Sequence, residues 1–182
     1  MTPTAPTDAA DTNSATALAA SPAHTDSAAE TGPAFDQLAL PPAFVATLNR
    51  LGYQRTTPIQ AAALPAALAG HDVLAQARTG SGKTAAFALP LLTRLDPARF
   101  AVQALVLCPT RELADQVAQE IRRLAQAIDN LKVLTLCGGT PVRPQLASLA
   151  HGAHVVVGTP GRILDHLQRR SLVLDALATL VL

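Results

Sequence analysis

The stretch that most constrains the fold of this chain is residues 77–84, Ala-Arg-Thr-Gly-Ser-Gly-Lys-Thr. It follows an apolar run and precedes a helical pattern that begins near Lys83. A glycine-rich turn between a strand and a helix points several backbone N–H groups into one concavity, and the helix N-terminus adds a positive dipole. Such a site suits a polyphosphate, with Lys83 reaching the outer phosphates and the Thr84 hydroxyl able to bind Mg²⁺.

The spacing of this loop departs from the usual phosphate-loop pattern G-x-x-x-x-G-K-[ST], because Ala77 stands where the first glycine is expected. The alternative interpretation is an ordinary Gly/Ser turn that happens to precede a Lys-Thr pair. Strand, turn and helix follow one another in the order that phosphate binding requires, which favours the phosphate loop. The departure at Ala77 therefore indicates a particular class of phosphate-loop proteins and does not exclude the chain from the group.

Charge is unevenly distributed along the 182 residues, although the net charge is only +1. Residues 1–34 contain four acidic residues and no Lys or Arg, so they carry −4 and leave +5 on the rest. This segment is rich in Ala, Thr, Ser and Pro without periodicity, which predicts a disordered tail. The remaining length is enough for one domain with a core, and its basic excess permits a phosphate-bearing partner.

The two cysteines, Cys108 and Cys137, each end an apolar run and lack C-x-x-C spacing. Buried free thiols are therefore expected, in place of a disulfide or a metal site. No apolar run approaches the length of a membrane span, and the N-terminus lacks the pattern of a signal peptide. These features favour a reducing cytoplasm and no membrane partner.

Short apolar runs alternate with helical patterns from residue 73 onward. Strands are predicted at residues 73–77, 104–108, 132–136 and 154–157, and the intervening helices at 83–95, 110–128, 143–150 and 161–170. Two helices precede them, one over residues 41–51 and one that is capped by Thr57, breaks or restarts at Pro65 and stops at Gly70. Alternation of this kind predicts an α/β fold with a mainly parallel sheet, whose ligand loops lie at the carboxyl ends of the strands.

Turns that can contact phosphate follow three of the predicted strands, at residues 109–114, 138–140 and 159–162. They offer hydroxyls, free amides at a helix start, or an arginine, which are groups that contact a sugar-phosphate backbone without reading sequence. The alternative is that Thr110 and Thr159 cap helices while Arg111 and Arg162 are surface charges. Three such turns at one edge of a sheet favour phosphate contact.

Gln60 and Phe35 are candidates for binding a nucleotide base. An amide offers a donor and an acceptor in one plane and could pair with adenine, while Phe35 could stack on the base. Each residue also has an alternative interpretation, with Gln60 as a solvated helix residue and Phe35 as a core anchor.

Taken together, these segments resemble the N-terminal lobe of a DEAD-box ATP-dependent RNA helicase, a RecA-like P-loop NTPase domain. Residues 52–60 look like the Q motif of that family, with Phe35 as the aromatic residue 17 positions before Gly52. Residues 77–84 match its A-x-T-G-x-G-K-T loop, which accounts for Ala77. Residues 109–114, 138–139 and 159–162 match motifs Ia, GG and Ib. The amino-acid sequences of residues 103–118 and 134–139 resemble the DbpA subgroup most.

The resemblance implies duplex RNA unwinding coupled to ATP binding and hydrolysis, with Mg²⁺ bound through Thr84 and the phosphates. In the DbpA subgroup it also points to ribosomal RNA and ribosome assembly. The residues implied in ATP binding are Phe35, Arg55, Gln60, Thr79, Gly80, Ser81, Gly82, Lys83 and Thr84.

A second set of residues is implied in gripping the RNA backbone independently of its sequence, in single strands or duplexes. These are Pro109, Thr110, Arg111, Gly138, Gly139, Thr159, Pro160, Gly161 and Arg162.

Residues 179–182 look like the strand that leads into the Asp-Glu-Ala-Asp motif, and those carboxylates do not follow. We therefore expect residues 35–182 to be an incomplete ATP-binding domain that contains no catalytic residue and is inactive alone. The alternative from another class is a nucleotide- and RNA-binding module that does not catalyse. A small-molecule P-loop kinase has less support, because it leaves residues 52–60, 138–140 and 159–162 without roles.

Overall fold

The computed structural model describes residues 32–182, which form six α-helices and four β-strands. Two single 3-10 turns, Phe35–Gln37 and Ala125–Ala127, accompany them. The helices are α1 (Pro42–Arg50), α2 (Pro58–Ala69), α3 (Lys83–Thr93), α4 (Arg111–Leu124), α5 (Val142–Ala150) and α6 (Pro160–Gln168). The strands are β1 (Ala104–Leu107), β2 (Val133–Leu136), β3 (Val155–Gly158) and β4 (Thr179–Val181).

The four strands form one parallel sheet in the order β2-β3-β1-β4. Ala104 of β1 lies opposite Val155 of β3 on one side and Thr179 of β4 on the other. The central strands β1 and β3 are apolar along their length, as strands covered on both faces should be. The predicted α/β fold with a parallel sheet is confirmed.

Alternate residues of the strands pack into two hydrophobic clusters, one on each face of the sheet. Val106 and Val157 belong to the larger cluster, which includes the buried faces of α3 and α4. Leu105 and Val156 belong to the smaller cluster, which includes Ile163 of α6. Helices therefore cover both faces, and the loops that follow β1, β2 and β3 lie at one edge of the sheet.

The predicted strand at residues 73–77 is wrong. These residues have no regular secondary structure, and the Leu74 side chain is fully exposed. A strand requires a neighbour with which to share backbone hydrogen bonds, and no strand within residues 32–182 pairs with this run. An apolar run can form a strand only if a neighbouring strand is available to share its backbone hydrogen bonds.

The predicted break at Pro65 is also wrong, because α2 runs without interruption through it. A proline keeps a helical φ and removes only one backbone donor, and the fully buried Leu64 holds this part of the helix against the core. The predicted ends of α2 are confirmed. Thr57 and Gln60 form a capping box at its start, and Gly70 ends it in the left-handed conformation.

The expected disordered tail, residues 1–34, lies largely outside the described residues. Its last three residues belong to the folded part, because Gly32 N donates to Thr56 O and Thr56 N donates to Pro33 O, both at 2.9 Å. Both cysteines are free and buried, as predicted. Within residues 32–182, no helix has the length and apolarity needed to cross a membrane.

Candidate functional site

The glycine turn of residues 79–82 leads directly into α3. Gly80 and Gly82 have φ values of +79° and +88°, in the left-handed region that favours glycine. Gly82 is the N-cap of α3, so the first backbone N–H groups of the helix lack intrahelical partners. This geometry agrees with the anion-binding turn that the sequence predicts.

Lys83 is bonded to the carbonyl oxygens of its own loop. Its Nζ donates to Arg78 O at 2.7 Å and also to Ala77 O. The Ser81 hydroxyl is buried and has no hydrogen-bond partner among the described residues. A buried hydroxyl without a partner is costly, and an oxygen-rich ligand in the loop would supply one. The loop therefore fits a polyphosphate.

Two side chains at the start of α2 hold the backbone of this loop. The Thr57 hydroxyl donates to Ser81 O at 2.8 Å, and Gln60 Nε2 donates to Gly82 O at 3.1 Å. Gln60 Oε1 accepts from Thr57 N at 3.0 Å, so both ends of the amide are bonded. Gln60 is only 1% exposed, and the interpretation of it as a solvated residue is therefore wrong. Thr57, which the sequence indicated only as a helix cap, is a second support of the loop.

Phe35 and Arg55 lie at the junction between the N-terminal segment and α2. Phe35 is 1% exposed, and its ring meets the ring of Tyr53 edge-on, with 6.1 Å between centroids. Arg55 Nε donates to Gly32 O at 3.0 Å. In this structure Phe35 is a core anchor, and its stacking on adenine stays a prediction that requires the ring to become accessible.

A second group of predicted site residues surrounds the turn after β2. Arg111 Nη1 donates to Gly138 O at 3.2 Å, and Gly138 N donates to Thr159 Oγ1 at 3.4 Å. Gly139 has a φ of +76°, and a Cβ at this position would lie 1.9 Å from Arg111 Nη1. The turns that follow β1, β2 and β3 are thus joined by hydrogen bonds, as their common edge predicts.

Thr110 caps α4 by accepting from Leu113 N at 3.2 Å, which confirms the capping interpretation for this residue. Thr159 makes no such bond to the first turn of α6 and accepts from Gly138 N in its place. Pro109, Pro160 and Gly161 are exposed beside these turns.

Arg162 is held inside a polar network that the sequence did not indicate. Its Nη1 donates to Gln145 Oε1 at 2.8 Å, and its Nη2 donates to Thr140 O at 3.0 Å. The side chain is 13% exposed, so the interpretation of Arg162 as a surface charge is wrong. His166 joins the same network through Nε2, which lies 2.9 Å from Gln145 Oε1. No local pattern points to Gln145 or His166, because their partners lie on other elements.

The environment of His166 shifts its protonation equilibrium. Burial of the ring lowers the pKa of His166, and the nearby charge of Arg162 lowers it further. Burial also raises the pKa of both thiols, Cys108 and Cys137, which leaves them protonated and unreactive at neutral pH. A cavity of about 300 Å³ beside Cys137 is lined by Arg111, Thr140 and Gln145, among others.

Comparison with known protein families matches residues 57–182 to the family described as DEAD/DEAH box helicase. The matched segment contains both groups of site residues except Phe35 and Arg55. The chain belongs to this family.

Curated relatives agree with this assignment. The chain is 64% identical over 143 residues to the ATP-dependent RNA helicase DbpA of Escherichia coli strain K12, covering 79% of this chain and 31% of DbpA. It is 51% identical over 148 residues to the ATP-dependent RNA helicase DeaD of the same strain, covering 81% of this chain and 24% of DeaD. The chain thus spans a third or less of the length of these relatives.

Solved structures of DEAD-box proteins share the fold. A DEAD box protein from the hyperthermophile Methanococcus jannaschii aligns with a TM-score of 0.76 at 41% identity, covering 81% of this chain and 40% of that protein. Dbp5 of S. cerevisiae, bound to RNA and ADP BeF3, aligns with a TM-score of 0.71 at 31% identity, covering 82% of this chain and 37% of Dbp5. The sheet and its helices are therefore those of a RecA-like DEAD-box lobe.

Proposed function

We propose that this chain belongs to an ATP-dependent RNA helicase and forms part of its N-terminal, nucleotide-binding lobe. The observation that supports the proposal is the left-handed glycine turn at the start of α3. Side chains of Thr57 and Gln60 hold the backbone of this turn by hydrogen bonds. Residues 35–182 form the incomplete domain, with motifs at 52–60, 77–84, 109–114, 138–139 and 159–162. The identity to DbpA supports a place in that subgroup. Ribosomal RNA as substrate and the cytoplasm as compartment are further parts of the proposal, which rest on the resemblance alone.

In this proposal ATP enters the loop of residues 79–84. The backbone N–H groups and the Lys83 ammonium bind the phosphates, and the Ser81 hydroxyl gains its missing partner. The Thr84 hydroxyl would be the side-chain ligand of a Mg²⁺ ion bound with the phosphates, because hydroxyl and phosphate oxygens suit this cation. Within residues 32–182, no three His, Cys, Asp or Glu side chains lie close enough to hold a metal by themselves. Gln60, Phe35 and Arg55 would select and hold the adenosine end.

RNA is proposed to lie along the edge formed by the turns after β1, β2 and β3. Arg111, Arg162 and the backbone N–H groups of Gly139 and Gly161 would contact phosphates. These groups carry no base-reading geometry, so binding should be independent of sequence and sensitive to salt.

ATP binding to Lys83→Ala tests the nucleotide site. Removing a charge-assisted contact to phosphate should weaken binding about 10- to 100-fold, since such bonds contribute about 1.5–3 kcal/mol. Lys132→Ala is the matched control, because Lys132 lies over the Phe100 ring, at 5.2 Å from its centroid. Titrating a fluorescent ATP analogue, with GTP as competitor, measures both the affinity and the preference for adenine.

Undiminished ATP binding by Lys83→Ala would contradict the proposed site. Equal competition by GTP would remove the role of Gln60 in reading adenine while leaving the phosphate site intact. The coding sequence downstream of Leu182 decides between the enzyme and the binding module. Asp-Glu-Ala-Asp directly after Leu182 supports a helicase, because phosphoryl transfer needs those carboxylates to place metal and water.

A further inference from the structure

Gln145 lies in α5, outside every segment that resembles a family motif, yet it is at the centre of the second group of site residues. Its Oε1 accepts from Arg162 Nη1 at 2.8 Å and from His166 Nε2 at 2.9 Å. Its Nε2 donates to Cys137 O at 3.1 Å and to Thr140 Oγ1 at 2.9 Å. The residue is buried, and all four hydrogen-bonding positions of the amide are filled.

The orientation of this amide is fixed by its partners. A guanidinium only donates and a backbone carbonyl only accepts, so Oε1 must face Arg162 and Nε2 must face Cys137. A glutamate at this position would retain two acceptors and lose both donors. A methionine would fill a similar volume without the amide's hydrogen-bond donors or acceptors.

The amide connects two turns that are separate in sequence. Cys137 and Thr140 belong to the turn after β2, whereas Arg162 and His166 belong to α6, which follows β3. Arg162 is also bonded to Thr140 O, so its guanidinium is held from two directions. One N–H on each terminal nitrogen remains for a further acceptor.

We propose that Gln145 is a positioning residue for RNA binding, which holds the Arg162 guanidinium and the turn of residues 137–140 in the geometry that grips phosphate. The inference rests on the proposed function and deepens it. A long arginine side chain loses rotamer freedom when it binds phosphate, and a side chain already held in place loses less. Gln145 therefore contributes to affinity through Arg162 and through the turn of residues 137–140, without touching the RNA.

The test is a double-mutant cycle in the full-length protein, with variants Gln145→Met and Arg162→Ala and the combination of the two. Binding of a single-stranded oligouridine RNA is measured at several salt concentrations. Gln145→Met should weaken RNA binding about 5- to 30-fold and reduce the slope of log Kd against log salt by about 0.7, the value for one lost phosphate contact on a single strand. In the Arg162→Ala background, Gln145→Met should have a smaller effect than in the wild type, because only the contribution through the turn of residues 137–140 is left to lose.

Gln119→Met is the matched control, because Gln119 is exposed on α4. It should bind RNA like the wild type, and ATP binding should be unchanged in both glutamine variants. A merely structural role for Gln145 would lower the melting temperature without changing the salt slope. Wild-type affinity and slope in Gln145→Met, or full additivity with Arg162→Ala, would overturn the proposal.

Gln145→Glu provides a second test if Gln145→Met does not fold. It retains the acceptors for Arg162 and His166 but frees the turn at Cys137, so RNA binding should still weaken at unchanged ATP affinity. Wild-type RNA binding by this variant would overturn the role of Gln145. Wild-type protein that binds ATP but no RNA would overturn the RNA-binding part of the proposed function itself.

Discussion

At the scale of single residues, the charged and polar groups of the site are bonded to the backbone of the loops they serve. Lys83 binds Arg78 O, Gln60 binds Gly82 O, Arg111 binds Gly138 O and Arg162 binds Thr140 O. Each contact ties the side chain to a carbonyl of the loop, and Gly82 O also accepts from Ala86 N at the start of α3. Substituting one of these side chains should therefore alter the loop conformation as well as remove a ligand contact.

The protonation of His166 predicts how stability depends on pH. Because the pKa of His166 is lowered in the folded chain, the unfolded state binds a proton more readily. The stability that the neutral ring contributes is present above its ordinary pKa of about 6.5 and is lost as pH falls through the folded value. We therefore expect the melting temperature of the full-length wild-type protein to fall more steeply from pH 7.5 to pH 5 than that of full-length His166→Gln.

His71→Gln is the control for this measurement, since His71 is exposed outside the helices and strands. It should retain the pH dependence of the wild type. If the melting temperatures of the wild type and His166→Gln change equally with pH across this range, His166 is not the source of the pH dependence.

Sequence predicts residues of this site when their role depends on local geometry. Gly80 and Gly82 in a turn, and Thr110 before a helix, have roles that their neighbours in the chain define. Gln145 and His166 could not be found in this way, because they meet across 21 positions of sequence through side-chain hydrogen bonds between α5 and α6. The hydrogen bond from the Thr57 hydroxyl to Ser81 O, across 24 positions, was missed for the same reason.

At the scale of elements, the end of β3 is packed too tightly to accept a side chain. A Cβ on Gly158 would lie 2.4 Å from Leu136 O and 2.8 Å from Ile163 Cδ1. This glycine lets α6 approach the sheet, which places residues 159–162 beside the turn after β2. Its backbone is otherwise that of an ordinary strand residue, so the constraint is close approach.

Gly158→Ala should destabilise the chain by about 1–3 kcal/mol, the usual cost of overpacking a buried position. Gly161→Ala is the control, because nothing lies within 4 Å of a Cβ there and the position is helical. That substitution should be neutral or stabilise by up to about 1 kcal/mol. Urea denaturation of the full-length protein measures both values, and equal stability of Gly158→Ala and the wild type would contradict the packing argument.

Element prediction succeeded where burial on both faces and local capping act together, as in β1, β3 and α4. It failed at residues 73–77 and at Pro65. In the first case the missing strand neighbour decided the outcome, and in the second the packing of α2 outweighed the local cost of a proline. Both failures come from tertiary contacts that no window of sequence contains.

At the scale of the whole molecule, the sheet of the described residues ends in two edge strands, β2 and β4. Among the described strands, β4 pairs only with β1, and its Leu180 is 52% exposed. Leu74 and Leu182 are also largely exposed. An unpaired edge with apolar neighbours favours association with other chains. The parallel sheet and its ligand edge follow from the alternation of apolar runs with helical patterns.

We expect the 182-residue chain alone to self-associate and to unfold without a sharp transition. Leu180→Lys should shift the chain toward monomer, since a charge on an edge strand opposes pairing. Leu164→Lys is the control, because Leu164 is similarly exposed, at 55%, but lies in helix α6 and outside the strands. Sedimentation velocity and thermal melting measure these effects, and a monomer with one cooperative transition would disprove the expectation.

The bonds between Lys83 and the carbonyl oxygens of its own loop have a kinetic consequence. The ammonium must exchange backbone oxygens for phosphate oxygens, so the loop rearranges while the nucleotide arrives. Association should therefore include a first-order step after encounter, and its observed rate should reach a plateau at high ATP concentration.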